Sequence, residues 1–144
     1  MAEFFAEISG NAALILTALG QHVLISLTSI LLGILVAVPA GILLTYCRKA
    51  AGVVLGIFGV VNTIPSIVLL GAAMILLGLG FAPAVAVLFL YSLLPIMRAT
   101  YTGILDVSPK CLKAARGMGM SRMQTLRLVQ LPLALPAIMT GIRL

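Results

Sequence analysis

Acidic side chains are nearly absent from this sequence. Three of its 144 residues are Asp or Glu and one is His, whereas nine are Lys or Arg. The acids, Glu3, Glu7 and Asp106, offer no plausible carboxylate pair for hydrolysis, and His22 stands outside any ligand cluster. Because general acid–base chemistry needs such groups held together, the composition argues against an enzyme.

Cysteine is also scarce. Cys47 and Cys111 do not show metal-ligand spacing. Each lies next to a basic cluster, hence on the predicted cytoplasmic side, where thiols stay reduced. We predict that both are ordinary small residues and that the chain itself holds no metal and no other cofactor.

Charged residues of either sign make up only 8% of the chain, while 62% of it is hydrophobic and its mean hydropathy is +1.28. A soluble core cannot hide that much apolar surface, so the sequence predicts an integral membrane protein built of helices. The net charge of +6 is concentrated in two clusters beside apolar segments. That distribution orients membrane spans and does not build a nucleic-acid-binding face.

The first apolar segment is predicted to cross the membrane once. Residues 1–22 mix polar and apolar side chains, which suits an interfacial helix or a lead-in, and their acids argue against a cleaved signal peptide. Residues 23–46 are uncharged and cover roughly 36 Å, enough for a bilayer core of about 30 Å. Arg48 and Lys49 follow, and the positive-inside rule places them in the cytoplasm and the N-terminus outside.

The next uncharged block, residues 50–97, is about twice too long for one helix. Glycines and a proline at 78–83 predict an external turn between spans at 53–77 and 83–98. Arg98 then lies in the cytoplasm again, in agreement with the basic residues that follow it.

Residues 99–131 are predicted to form a cytoplasmic loop that contains two short helices. Ser108, followed by a proline, is a predicted N-cap of the first helix, and Gly117 or Gly119 supplies its stop. A solvated basic segment needs no caps, so the capped helices favour a rigid element that docks on a partner. Lys110 and Lys113 share one face of the first helix.

The second loop helix is predicted from a capping box formed by Ser121 and Gln124. It should run over residues 122–129 and end before Pro132. The last residues, 132–144, are predicted to begin a fourth span.

A proline interrupts the second predicted span near mid-membrane. Pro65 removes one backbone donor and frees the carbonyl of Val61, which then needs a polar partner. The neighbouring Asn62, Thr63 and Ser66 either satisfy that carbonyl locally, as a self-repaired kink, or face a water-filled pathway. We take the pathway as the working prediction.

Small residues recur at every fourth position of the first predicted span. Gly33, Ala37 and Gly41 form a stripe of the kind that allows close helix approach in lipid, and we predict that they pack inside the bundle. The aromatic residues, Tyr91 among them, are predicted to be mostly interfacial anchors. The alternative is that some of their ring faces bind a cationic substrate.

The loop resembles the EAA loop of ABC-importer permeases. The family pattern is Glu-Ala-Ala, three residues, Gly, nine residues, an aliphatic residue, any residue, then Leu-Pro. Every spacing holds here, with Lys113 in place of the glutamate. The resemblance implies a coupling loop that fits a groove of an ATPase through Lys113, Ala114, Ala115, Gly117, Gly119, Leu131 and Pro132.

Longer stretches are similar to the permease subunits of osmoprotectant importers, which carry glycine betaine, carnitine or choline. The similar stretches are 62–66, 89–98, 101–104 and 114–120. The resemblance covers nearly the whole chain from about residue 20 and implies a multi-span helical bundle with the type I ABC importer (MetI-like) permease fold. It also implies the cell membrane of a bacterium or an archaeon.

In that family two permease subunits, identical or different, form the pathway. Two cytoplasmic ATPases hold ATP and Mg²⁺ and drive transport, and an external binding protein delivers the substrate. The resemblance therefore implies these partners in addition to the lipid bilayer.

The chain stops at Leu144 within the predicted fourth span, where members of this family continue through further spans. We therefore expect a C-terminally incomplete bundle with weak or no transport by this form. Two other functions stay open: a non-transporting membrane anchor or truncated fragment that only recruits a partner, and a permease for amino acids such as methionine.

Overall fold

The computed structural model describes residues 10–144, and this part of the chain folds into helices and turns with no β-strand. The helices are α1 (Ala12–Leu44), α2 (Arg48–Thr63), α3 (Ser66–Leu77), α4 (Phe81–Leu105), α5 (Pro109–Gly117), α6 (Arg122–Thr125), a π-helical segment (Leu126–Gln130) and α7 (Leu131–Arg143). Three stretches, α1, α4 and 122–143, are long and apolar enough to cross a membrane, and α2 with α3 qualifies as a fourth, broken span. The all-helical membrane fold predicted from the sequence is confirmed.

Helix α1 is longer than the predicted first span. It runs without a break from Ala12 to Leu44, so residues 12–22 continue the helix of the predicted span and do not form a separate lead-in. These residues carry no charge and no proline, and a single glycine costs a helix only about 1 kcal/mol. The 33 residues of α1 measure roughly 50 Å at 1.5 Å per residue. The first nine residues of the predicted lead-in lie outside the described residues.

The second predicted span is not one straight helix. It divides into α2 and α3, which meet at an angle of 92°. Ile64 is extended, with ψ 129°, because a residue that precedes proline avoids the helical conformation. The Ile64 N–H donates to the Val61 carbonyl at 3.2 Å. The backbone itself therefore pairs the carbonyl that Pro65 was predicted to leave to a polar side chain.

Two glycines separate α3 from α4. Gly78 and Gly80 have φ of 79° and 132°, which lie in the region that favours glycine. Helix α4 then continues to Leu105, seven residues past the predicted end of the third span at 98. Arg98 does not end the helix, because its exposed side chain leaves the backbone hydrogen bonds intact.

Helix α4 forms the centre of the bundle and packs against all four of the other long helices, most extensively against α1 and α7. One buried cluster joins α1, α2 and α4 and includes Ala37, Ile96 and Met97. A second cluster joins the end of α4 to the last helix and includes Ile104 and Ala134. The bundle thus has two buried clusters along α4.

Glycines set the distance between these helices. Gly33, Ala37 and Gly41 are buried on the side of α1 that faces α4. A Cβ added at Gly41 would lie 2.7 Å from the Thr100 Cβ and 2.9 Å from the Met97 carbonyl oxygen. Ordinary carbon contacts need about 3.5–4.0 Å, so α1 lies directly on the backbone of α4.

The seam between α4 and α7 uses the same kind of close contact, which was not predicted from the sequence. A Cβ added at Gly103 would lie 2.8 Å from the Ala137 Cβ, and one added at Gly141 would lie 2.8 Å from the Pro95 carbonyl oxygen. These two glycines lie on different helices and form no stripe along either one, so only their packing shows that they act together.

Large apolar side chains cover much of the outer surface. On α3 the exposed fractions of Ile75 and Leu76 are 87% and 83%. A soluble monomer rarely exposes apolar patches of this kind. This surface fits lipid or other membrane helices.

Candidate functional site

The loop after α4 folds as the predicted pair of capped helices. The Ser108 Oγ accepts a hydrogen bond from the Lys110 N–H at 3.3 Å, and proline opens α5. The predicted capping box is also present, because the Gln124 N–H donates to the Ser121 Oγ at 3.3 Å and the Gln124 Oε1 accepts from the Ser121 N–H at 2.8 Å. Both N-caps predicted from the sequence are confirmed.

A glycine elbow joins the two helices. Gly119 has φ 77°, and its N–H donates to the Arg116 carbonyl at 3.0 Å. The Met120 N–H donates to the Ala115 carbonyl at 3.1 Å. These two bonds together form a Schellman motif, which pairs the last carbonyls of α5 and fixes the direction in which the chain leaves it.

The short helix α5 has an outer and an inner face. Lys113, Ala114 and Gly117 are exposed, whereas Ala115 is 1% exposed and Leu112 is half-buried. We call the exposed side, with Lys110, Lys113, Ala114, Gly117 and Met118, the outer face of α5. This face is free to meet a partner, while the inner face packs toward the ends of the long helices.

The second loop helix does not end before Pro132, and that prediction is wrong. It continues through the π-helical segment into α7, so 122–143 is one continuous stretch. The Leu131 N–H donates to the Leu126 carbonyl, five residues back. Pro132 has no N–H and its ring crowds the carbonyl four residues earlier, and the wider π turn makes room for it without breaking the helix.

Leu131 and Pro132 therefore lie within a helix rather than after one. Leu131 is half-buried and packs against the second core cluster, while Pro132 is exposed. These two residues come well after α5 in the sequence. The elbow, α6 and the π-helical segment connect them to α5.

The residues at the bend between α2 and α3 do not all face one space. The Asn62 Nδ2 donates to the Phe58 carbonyl at 3.3 Å, and the Thr63 Oγ1 donates to the Val60 carbonyl at 2.7 Å. Both bonds stay within α2. Of the four residues predicted to face a pathway, Asn62 alone lines a cavity, and Thr63, Pro65 and Ser66 are exposed beside it.

That cavity, which we call the bundle cavity, has a volume of about 400 Å³ and lies between α1, α4, α7 and the end of α2. Its polar lining residues are Ser26, Ser29, Asn62, Tyr91, Ser92 and Arg143. The volume falls in the range of about 300–1,000 Å³ that is typical of small-molecule pockets. The cavity has room for a small solute with its water.

Tyr91 ties the bend to the centre of the bundle. Its hydroxyl donates to the Ile64 carbonyl, the last one before Pro65. This contact was not predicted, because the aromatic residues were expected to be mostly interfacial anchors. The sequence did offer a signal for this contact, because Tyr91 lies in the interior of an apolar segment. A tyrosine hydroxyl away from water needs a hydrogen-bond partner.

Comparison with known proteins assigns the chain to a family. Residues 29–144 match the family model for the inner membrane component of binding-protein-dependent transport systems. The chain belongs to this permease family.

Three curated relatives are similar to this chain over most of its length. The glycine betaine/carnitine/choline transport system permease protein OpuCB of Bacillus subtilis (strain 168) is 45% identical over 143 residues, which cover 99% of this chain and 66% of that protein. The choline transport system permease protein OpuBB of the same strain is 49% identical over 123 residues, covering 85% of this chain and 57% of that protein. The osmoprotectant import permease protein OsmY of Salmonella typhimurium (strain LT2) is 44% identical over 129 residues, covering 88% and 55%. This chain thus spans less than two thirds of the length of each relative.

The membership agrees with the osmoprotectant permease resemblance derived from the sequence motifs. Permease subunits of this family are transport components and not enzymes. Among residues 10–144 no group of His, Cys, Asp and Glu is placed to hold a metal ion, and Cys47 and Cys111 are exposed free thiols.

Proposed function

We propose that this chain acts as a permease subunit of an ATP-driven, binding-protein-dependent importer of osmoprotectants of the glycine betaine, carnitine and choline type. The observation that carries the proposal is the 45% identity to OpuCB of Bacillus subtilis over 99% of this chain. All three relatives described above are named for osmoprotectant solutes, which favours this substrate class over methionine and other amino acids.

In this proposal the basic loop lies in the cytoplasm and the N-terminus lies outside. Support comes from the shared position of the two basic clusters. Tyr46, at the end of α1, and Leu105, at the end of α4, line one cavity together with Arg116 of the loop. The cluster at Arg48 and Lys49 is therefore at the same end of the bundle as the loop, as the positive-inside rule requires of a single orientation.

The outer face of α5 is proposed to dock in a groove of a cytoplasmic ABC ATPase, which holds the ATP and Mg²⁺. The Schellman elbow fixes α5 relative to α6, and the π-helical segment carries α6 into α7 without a break. A displacement of α5 by the ATPase therefore reaches a membrane helix through rigid helical segments. Such a displacement can shift the bundle between two openings, which is the coupling that import needs.

Lys113 stands where the family pattern has a glutamate, and its ammonium is on the outer face of α5. A positive charge at a docking face favours a partner of opposite charge. We propose that the ATPase places a carboxylate opposite Lys113. Ala114 and Gly117 offer the small surface beside it that lets the groove approach the helix.

The bundle cavity is proposed as part of the translocation pathway. Asn62, Tyr91 and Ser92 give it hydroxyl and amide groups within otherwise apolar helices, and polar groups within membrane helices mark solute pathways. Thr63, Pro65 and Ser66 have a different proposed role, because they form the bend that places Asn62 against the cavity. A second permease subunit, identical or different, completes the pathway, and an extracytoplasmic binding protein delivers the solute.

ATP hydrolysis that depends on substrate tests the proposed function. The chain is reconstituted in proteoliposomes with its ATPase and binding protein, and hydrolysis is measured with glycine betaine, carnitine, choline or methionine. We expect stimulation by one or more of the first three solutes and none by methionine. Stimulation by methionine alone would assign an amino-acid permease, and ATPase capture without stimulation by any solute would indicate a membrane anchor.

The docking proposal is tested by charge reversal in the loop. Lys113→Glu is compared with Arg127→Glu, which makes the same change in charge at an exposed position outside the outer face of α5. We expect Lys113→Glu to weaken co-purification of the ATPase by on the order of tenfold or more, and Arg127→Glu to change it little. Equal effects of the two variants would place the contact elsewhere.

A further inference from the structure

A second cavity lies where the inner face of α5 meets the ends of α1 and α4. It has a volume of about 270 Å³ and is partly open. We call it the loop cavity, and its polar lining residues are Thr45, Tyr46, Arg116, Arg122, Thr125 and Gln130. The rest of its wall is formed by the apolar side chains of Ile104, Leu105, Leu112 and Met120.

The loop cavity carries positive charge that no residue among 10–144 neutralises. Arg116 and Arg122 both line it, from the two sides of the glycine elbow. Asp106 is the one acid among residues 10–144, and it does not line the cavity. Neither guanidinium forms an ion pair or a hydrogen bond with another described residue.

Two further groups without a partner in this cavity can also donate hydrogen bonds. The Tyr46 hydroxyl and the Gln130 amide have no hydrogen-bond partner among the described residues. The Thr45 and Thr125 hydroxyls already donate to backbone carbonyls at 2.7 and 3.0 Å. Two guanidiniums, a phenol and an amide around one space suit an anion that offers several acceptor oxygens, and a phosphate group does so.

The position of the loop cavity indicates where the phosphate comes from. Tyr46 follows the last turn of α1, and Arg122 opens the candidate span 122–143. Each residue therefore adjoins a helix that is long and apolar enough to cross a membrane, which favours a position near the lipid headgroups. Basic pockets between membrane helices at that depth bind anionic lipid headgroups.

We propose that the loop cavity binds the phosphate of an anionic phospholipid, with Arg116 and Arg122 as its main ligands. The bound headgroup joins α5 to the end of α1, because Arg116 and Tyr46 line the same space. Occupancy of the cavity then holds the docking helix in its position relative to the bundle. This site is separate from the outer face of α5 and from the bundle cavity.

The test measures lipid binding to the purified full chain by mass spectrometry of intact complexes. Phosphatidylglycerol is compared with phosphatidylcholine, whose headgroup has no net charge. The cavity variant Arg116→Gln with Arg122→Gln is matched by Lys110→Gln with Arg127→Gln, which removes the same charge from exposed positions outside the cavity. Circular dichroism confirms that each variant keeps its helices.

We expect the cavity variant to bind phosphatidylglycerol about 25- to 30-fold more weakly, since each of the two basic groups contributes a factor of about five near the membrane surface. The matched variant should lose much less. Gln130→Leu, which changes no charge, should also weaken binding. Equal losses in the two double variants would overturn the proposal, because general charge attraction would then explain the binding. Unchanged binding in the cavity variant would also overturn it.

Two further arms separate the possible sources of the anion. Inorganic phosphate is titrated at constant ionic strength, and the proposal predicts little displacement of the lipid. If free phosphate displaces the lipid fully, and its own binding depends on the two arginines, the site binds a soluble anion and the lipid proposal is wrong. If the ATPase displaces the lipid and its capture depends on the same arginines, the cavity is a protein contact and the proposal is also wrong.

Discussion

Replacing Gly41 with alanine adds one methyl group where α1 lies against the backbone of α4. The new Cβ would lie 2.7 Å from the Thr100 Cβ and 2.9 Å from the Met97 carbonyl oxygen. The second neighbour is backbone and cannot move aside as a side chain can. The two helices must separate locally by about 1 Å to reach normal contact, and overpacking of this kind costs about 1–3 kcal/mol of the free energy of unfolding.

Gly20→Ala is the matched control. Gly20 lies in the same helix, and an added Cβ there meets nothing within 4 Å. Both variants gain the same helix propensity, about 1 kcal/mol relative to glycine, so the difference between them reports the clash alone. Unfolding in detergent with increasing dodecyl sulfate, followed by circular dichroism, gives the two midpoints. Equal midpoints would refute the view that Gly41 sets the distance between α1 and α4.

Three further outcomes follow from particular contacts. Tyr91→Phe removes the hydroxyl that donates to the Ile64 carbonyl, so we expect a loss of about 1 kcal/mol in the same unfolding assay; no loss would show that the bend holds without this bond. Gly141→Ala brings a Cβ to 2.8 Å from a backbone carbonyl of α4 and should lower the free energy of unfolding by about 1–3 kcal/mol. A stability equal to that of the parent would contradict the close contact between α4 and α7. Ser121→Ala breaks the capping box and should destabilise α6 by about 1 kcal/mol. We expect faster amide hydrogen exchange at Gln124 and little change in exchange within α4. Unchanged exchange at Gln124 would show that the cap is not needed.

The features that the sequence predicted correctly are local ones. The cap at Ser108 and the capping box at Ser121 depend on side chains that bond to backbone two or three residues away, so nearby residues suffice to predict them. The predicted helix stop at Gly119 is local in the same way, because it needs only a glycine that adopts the left-handed backbone. The prediction of a membrane protein followed from composition, because a soluble core cannot bury apolar side chains in this proportion.

The ends of the helices were less predictable, because charge and polarity do not decide where a helix stops. Polar or charged residues placed the predicted start of the first span at 23 and the predicted end of the third at 98. In the structure α1 begins at Ala12 and α4 passes Arg98 to reach Leu105. A helix ends where its backbone loses hydrogen bonds, and an exposed polar side chain does not remove any.

Two prolines with the same local chemistry have opposite effects on the fold. At Pro65 the chain bends by 92°, and the Tyr91 hydroxyl of α4 donates a hydrogen bond to the bend. Pro132 is accommodated in a π turn, and the neighbours of that turn pack in the second core cluster. The amino-acid sequence alone establishes that both positions lack a backbone donor. Whether the helix breaks or continues at such a position depends on the neighbours that pair its carbonyls and fill the space beside it. Those neighbours are distant in sequence, and the fold alone brings them together.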